Sequence, residues 1–450
     1  MRKLALLLAV LVLLSMAAAQ VQIRWYVGLG AGTDEPTIAA QQAIVDAYNA
    51  SQNDIRLVLE IVANDQAYDV LATQFAAGNA PDIVGPVGIR GRAAFPNVWR
   101  DLSDLIAATG YDLSDYDPAL VDFYNLEGQG QIGIPFAVFP SYLSYNVALF
   151  DEAGLPYPPS EFGAPYTTVD GETVPWDLNA LRDLALLQTV DANGLDATQD
   201  GFDPNNIVQW GFGTQWADLR GRLAIFGAGN FVDEDGNATI PEHWVQGIRW
   251  MYDAMWVDHF YPNGPYGGSA LLADGNWFES GNLAIAQTHL WYQACCMFAL
   301  QDEWDLAATP TGLDGNITAK LHGDTFSIPA ASRNPEAAFE VLAHLLSPEV
   351  AGQLAAVYGG MPARLSLQGD YIDNFGAAVF PDRDVNWSVV TEALSYPDNP
   401  SHEEGMPAFR EAETLYNAFV TRLDNNAEID IDGELASLVA ELQILFDSAR

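Results

Sequence analysis

Alternating apolar and polar positions mark Val21–Val27 (VQIRWYV) as a strand and Ile55–Ile61 as a second, and Pro81-Asp82-Ile83-Val84 opens a third. Between them the period changes. After Pro36, the apolar residues Ile38, Ala43, Ile44, Ala47 and Tyr48 recur at helical spacing, and Tyr68–Ala77 reads as a helix stopped by Gly78. Strand, helix, strand, helix, strand at this spacing predicts a parallel sheet with crossover helices.

The pattern then turns at Gln131–Pro156, QIGIPFAVFPSYLSYNVALFDEAGLP. Its first half alternates as a strand, but Pro135 and Pro140 interrupt the ladder, which predicts an edge or a crossing rather than a central strand. Its second half reads as a short helix, capped by Asn146 and stopped by Gly154. Farther on, helices are predicted over Trp176–Gln188 (capped by Asp177 or Asn179), Pro241–Trp256, Pro335–Leu346, Pro348–Val357, Met406–Leu423 and Glu434–Phe446. Strands are predicted over Asn206–Gly213, Gly281–Thr288 and Trp304–Pro310. Pro156–Trp176 reads as a long irregular surface segment and Val257–Asn276 as loop-like.

Composition adds limits. At 450 residues and 49% hydrophobic, the chain can bury a large core, and its length favours two or more domains. Met1–Ala19 reads as a secretory leader: Arg2 and Lys3, an apolar run too short to span a bilayer, then Ala17-Ala18-Ala19. With no cysteine directly following that run to carry a lipid, the mature chain is expected free in a periplasm-like or extracellular space. The 18 basic residues fall to 16 without Arg2 and Lys3, which against 60 acids gives −44 and leaves Lys320 as the only lysine. Such acidity argues against nucleic acid as a partner. Cys295 and Cys296 are adjacent, so either a vicinal bridge or two buried thiols is open.

The glycine loop Gly28–Thr33 lacks both dinucleotide and P-loop spacing, so no cofactor is expected. The loop Asp191–Asp203 (DANGLDATQDGFD) clusters oxygens at Asp191, Asn193, Asp196 and Asp200. It lacks EF-hand spacing, and calcium competes with a turn-rich capped loop as its explanation.

Several words resemble the extracellular solute-binding proteins of ABC importers, sugar-binding branch, the group of the maltose-binding protein. They are the Gln131–Pro156 run, FAAGNAPDIV, WFESGNLAIAQT, WDLAATPTG, HGDTFSIPAASRNPEAAF and GGMPAR, in order along nearly the whole chain. The resemblance implies an α/β, two-lobed type II fold with a parallel-rich sheet in each lobe and a ligand cleft between them. Lobe I would be 20–137 plus 325–365, and lobe II 138–324 plus 366–450. It implies a monomer that captures a carbohydrate by hinge closure and delivers it to membrane permease subunits, without catalysis.

Sugars need aromatic walls for their C–H faces and paired donors and acceptors for their hydroxyls. Strand-end loops would supply them. By resemblance Trp291 stacks on the ligand, Trp216 forms a second wall, Asp65 accepts a hydroxyl and Arg364 donates. Tyr292, Gln66, Asp324, Gly323, Asp34 and Tyr142 fall at similar positions, as do Trp25, Tyr26 and Gly85–Gly88. Each also has a structural explanation: strand-end packing for the tryptophans, a helix cap for Asp65, an ion pair for Arg364. Two other functions remain open. The same fold could cage a betaine or polyamine. A glycoside hydrolase would need two facing carboxylates roughly 5–9.5 Å apart, and no catalytic motif accompanies the acids.

Overall fold

The computed structural model describes residues 20–449 except 31, 34 and 127; the proposed leader and Asp34 therefore lie outside the described residues. The chain divides into two compact units. The first comprises the residues up to Arg90, Phe95–Phe136 and Asp324–Val357. The second comprises Gly91–Ala94, Ala137–Gly323 and everything from Tyr358 onward.

In the first unit, β1 (Val21–Val27) lies between β2 (Ile55–Ile61) and β3 (Ile83–Val87), parallel to both. Helices α1 (Glu35–Ser51) and α2 (Asn64–Ala76) make the crossovers that parallel pairing requires. Asn49 of α1 fixes the first crossover, donating to the Leu57 carbonyl at 2.9 Å and accepting from its amide at 2.8 Å. Trp25 and Tyr26 are wholly buried. The Trp25 indole donates to the Gly85 carbonyl and the Tyr26 hydroxyl to that of Ala67, so these rings are core rather than ligand surface. Helix α2 begins four residues before the expected Tyr68. Asp65 and Gln66 thus sit in its exposed first turn, where acidic charge suits the helix dipole, and the Asp65 side chain makes no capping bond.

Strand β4 (Ile134–Asn146) is one continuous buried 13-residue strand that crosses from the first unit into the second after Phe136, so of the two expectations, edge or crossing, it is the crossing, although the prolines do not break it. The prolines are accommodated because the strand changes partners at them. Ala137 and Val138 pair with β9 (Met361–Pro362), while Ser141–Tyr145 pair with β6 (Leu283–His289). Leu143–Asn146 pair on the other side with β7 (Trp304–Ala307). Neither Pro135 nor Pro140 occupies a register position in these ladders. Strand β4 and β8 (Leu321–Ser327) each begin in one unit and end in the other.

Strand β5 (Ile207–Thr214) runs parallel to β6, whereas the pairings of β4 with β6, β7 and β9 are antiparallel, giving a mixed sheet. Helix α3 (Val147–Ala153) follows β4. Asn146 caps it by accepting from the Leu149 amide, and Gly154 ends it at φ 66°. Helix α4 (Leu178–Leu187) takes Asp177 as its cap. Helix α5 (Glu242–Trp256) buries Trp244, Ile248, Met251 and Met255. Helix α6 (Leu290–Cys295) follows β6 directly. Helices α7 (Pro335–Leu345) and α8 (Pro348–Tyr358) precede β9, and α9 (Phe409–Asn425) and α10 (Ile431–Ala449) close the chain. Short helices also form at Tyr371–Val379 and Ser388–Ala393. No helix among the described residues is long and apolar enough to cross a membrane.

Candidate functional site

The second unit gathers aromatic rings where β5 and β6 end. Trp216, two residues beyond β5, is 47% exposed and holds a left-handed backbone, φ 45°. That region costs a non-glycine residue about 1–3 kcal/mol. Its ring lies parallel to that of Trp291, with centroids 6.3 Å apart and planes 6° apart. Trp291 in turn stacks on His289 at 5.4 Å and 14°. Tyr292 meets Trp216 and Trp291 edge-on, at 5.6 and 6.2 Å.

The outer face rests on a polar foundation. The Tyr142 hydroxyl donates to Gln293 Oε1 at 2.8 Å, and Gln293 Nε2 donates to Ser144 Oγ at 3.0 Å. Ser144 Oγ and Thr288 Oγ1 are hydrogen-bonded at 2.7 Å. All four residues are buried, so the network fixes α6 on the sheet. Tyr142 therefore supports the wall from behind, and burial holds its phenol well above the ordinary range. Tyr292 is equally buried, and its hydroxyl donates to Asn276 Oδ1 at 2.6 Å. The Asn276 amide continues to Glu279 and to the Cys296 carbonyl. Cys295 and Cys296 form a vicinal disulfide, which resolves the alternative left open by the sequence.

The remaining expected residues are placed separately. Gly323 is buried, and its amide donates to Glu403 Oε2 at 3.1 Å. Arg364 is buried ahead of the turn Leu365–Leu367. In the first unit, the Asp324 carboxylate closes on two glycines, Gly30 in the glycine loop and Gly88 just after β3: a Cβ there would lie 2.9 or 3.0 Å from its oxygens. These glycines admit the carboxylate to the backbone. In the loop after α4, both Asp191 oxygens accept N–H groups, from Asn193 and Leu195 on one and from Asn193 and Asp203 on the other. Asp196 accepts from Thr198, so these two carboxylates turn onto the loop's own donors.

A cluster absent from the sequence expectations lies in the same unit. His322, His402 and Glu403 bring one ligand atom each within 4.8 Å of the others. Nothing local announces it, since His322 is 80 residues from His402; the Leu321 amide bonded to Asp398 draws the segments together. Burial pushes His289 and His322 well below the usual imidazole range, with nearby Lys320 and His402 adding to the effect. Burial also lowers Lys320 to about 7.

Residues 33–352 match the family model of the bacterial extracellular solute-binding proteins. The chain belongs to that family. No curated protein sequence matches it. Among solved structures, an ABC substrate-binding protein of Listeria monocytogenes in complex with cycloalternan is similar at TM-score 0.70 and 19% identity, covering 94% of this chain and 98% of that one. Maltose-bound MalE3 of T. maritima is similar at TM-score 0.68 and 17% identity, over 94% and 100%. UgpB of Mycobacterium tuberculosis in complex with glycerophosphocholine is similar at TM-score 0.70 and 16% identity, over 96% and 99%. These likenesses establish the two-lobed α/β architecture of the family for this chain.

Proposed function

We propose that this family member is the solute-capturing subunit of an ABC importer and that its solute is a carbohydrate, an oligosaccharide in particular. The observation that carries the reading is the Trp216–Trp291 face. Two large parallel indoles, one strongly exposed and held in a strained backbone, offer an apolar platform of the kind that sugar C–H faces require. The cycloalternan and maltose complexes of structural neighbours support the same ligand class. Trp291 and Trp216 stack on the sugar. Asp65, Gln66, Asp34, Asp324, Gly323 and Arg364 are proposed to supply polar contacts, while Tyr292 and Tyr142 hold the rings in place.

The solute is handed to the membrane permease unaltered. Isothermal calorimetry of the mature chain against maltose, longer maltooligosaccharides, cyclic glucans, betaine and spermidine tests the assignment. Binding heat from at least one saccharide and no new reducing ends on incubation are expected. Heat from betaine or spermidine alone would replace the sugar with a cationic solute, and new reducing ends would make the protein a hydrolase.

A further inference from the structure

We propose that His322, His402 and Glu403 form a binding site for a borderline divalent transition metal, zinc in the first instance, separated from Trp291 of the aromatic face by the His289 ring. Two imidazoles and a carboxylate are a donor set that zinc takes readily, with a fourth position left for water.

Three observations point to a metal rather than to an ordinary polar cluster. The first is spacing. His322 Nδ1 and Glu403 Oε1 are 3.4 Å apart, beyond the roughly 2.7–2.9 Å of a charge-assisted hydrogen bond. Two ligands on tetrahedral zinc, with bonds of roughly 2.0–2.1 Å, stand about 3.3 Å apart.

The second is orientation. His402 Nδ1 meets Asp398 Oδ2 at 2.6 Å, and the same carboxylate oxygen accepts the His402 amide at 2.7 Å. A carboxylate on one ring nitrogen fixes the imidazole and leaves Nε2 available, which is how metal-bound histidines are commonly held. Glu403 is steadied similarly, its Oε2 accepting the Gly323 amide.

The third is unmet bonding capacity. His322 Nε2 is buried without a hydrogen-bond partner, as are both ring nitrogens of His289, whose ring packs 4.2 Å from that of His322. Buried imidazole nitrogens lacking partners are costly. They mark a pocket whose polar groups the protein alone leaves unsatisfied, and the ion itself takes the His322 Nδ1 lone pair beside Glu403. The His322 side chain remains 26% exposed, which gives an ion a way in. Lys320, two residues earlier, directs its ammonium at the Gly221 carbonyl.

The mature chain, stripped with chelator and dialysed, is titrated with zinc sulfate in competition with a chromogenic zinc indicator. One zinc per chain is expected. His322→Gln and His402→Gln should each weaken binding at least about a hundredfold, and Asp398→Asn roughly 10–100-fold through the orienting bond. His344→Gln, in the other unit, should leave binding unchanged. Circular dichroism and metal-free melting establish which variants fold. Should His402→Gln fail to fold, the more exposed His322→Gln decides. A wild-type chain that takes up no zinc, or a folded His322→Gln that binds it as the parent does, overturns the proposal.

Discussion

The indoles of Trp216 and Trp291 lie within 6° of parallel, although 75 positions separate them in the chain. Strands β5 and β6, parallel neighbours, deliver both rings from the same end of the sheet. The first prediction follows from that pairing. Trp291→Ala should weaken saccharide binding by about 2 kcal/mol, roughly thirtyfold in Kd, and Trp291→Phe by less. Calorimetry measures both, with melting temperature as a check that the fold is intact.

Trp216 separates binding from folding in an unusual way. Its left-handed backbone is a conformation glycine adopts freely. Trp216→Gly should therefore stay within about 1 kcal/mol of the parent in stability, because strain relief offsets lost packing. Saccharide affinity should nevertheless fall at least about tenfold. Urea unfolding and calorimetry on one preparation compare the two effects.

The buried hydroxyl of Tyr142 predicts the opposite balance. Tyr142→Phe leaves Gln293 Oε1 without its donor in the interior. Stability should drop by about 1–3 kcal/mol in urea unfolding, with a smaller change in saccharide affinity.

Acid should loosen the first unit partly through Asp101. Its partial burial raises the carboxyl, but bonds from the Ser103 side chain and amide and from the Gln131 amide outweigh that and hold it below the usual range. The folded value being the lower one, its stabilisation is present above the unfolded carboxylate range, about 3.9, and is lost as pH falls through the folded value. Asp101→Asn should therefore be less stable than wild type at pH 7, and the two should converge in strong acid. Melting curves from pH 7 to 2.5 test this.

Local chemistry was legible in the sequence wherever it is self-contained. The cap at Asn146, the stop at Gly154 and the cap at Asp177 are set by residues within a few positions of each other, and the structure contains all three. Pro135 and Pro140 pointed correctly to a crossing but not to an unbroken strand, because their effect depends on which distant strands pair beside them. Trp25 and Tyr26 alternate as a strand should, but with both neighbours buried, alternation does not tell which ring meets ligand and which meets core. The start of α2 was missed because Asn64 and Asp65 are as common in turns as in first helical turns. The histidine cluster was invisible for a simpler reason: its spacing follows no local metal motif, and tertiary pairing of the segments around Ala319–Gly323 and Tyr396–Glu403 creates it.

The hydrogen-bonded chain from Tyr142 through Gln293 and Ser144 to Thr288 has one more consequence. Because those bonds are directional and lie behind the rings, they anchor the plinth and leave the display free. Recognition can then drift, or be re-engineered, by exchanging the residues at 216 and 291 while the foundation beneath them stays as it is.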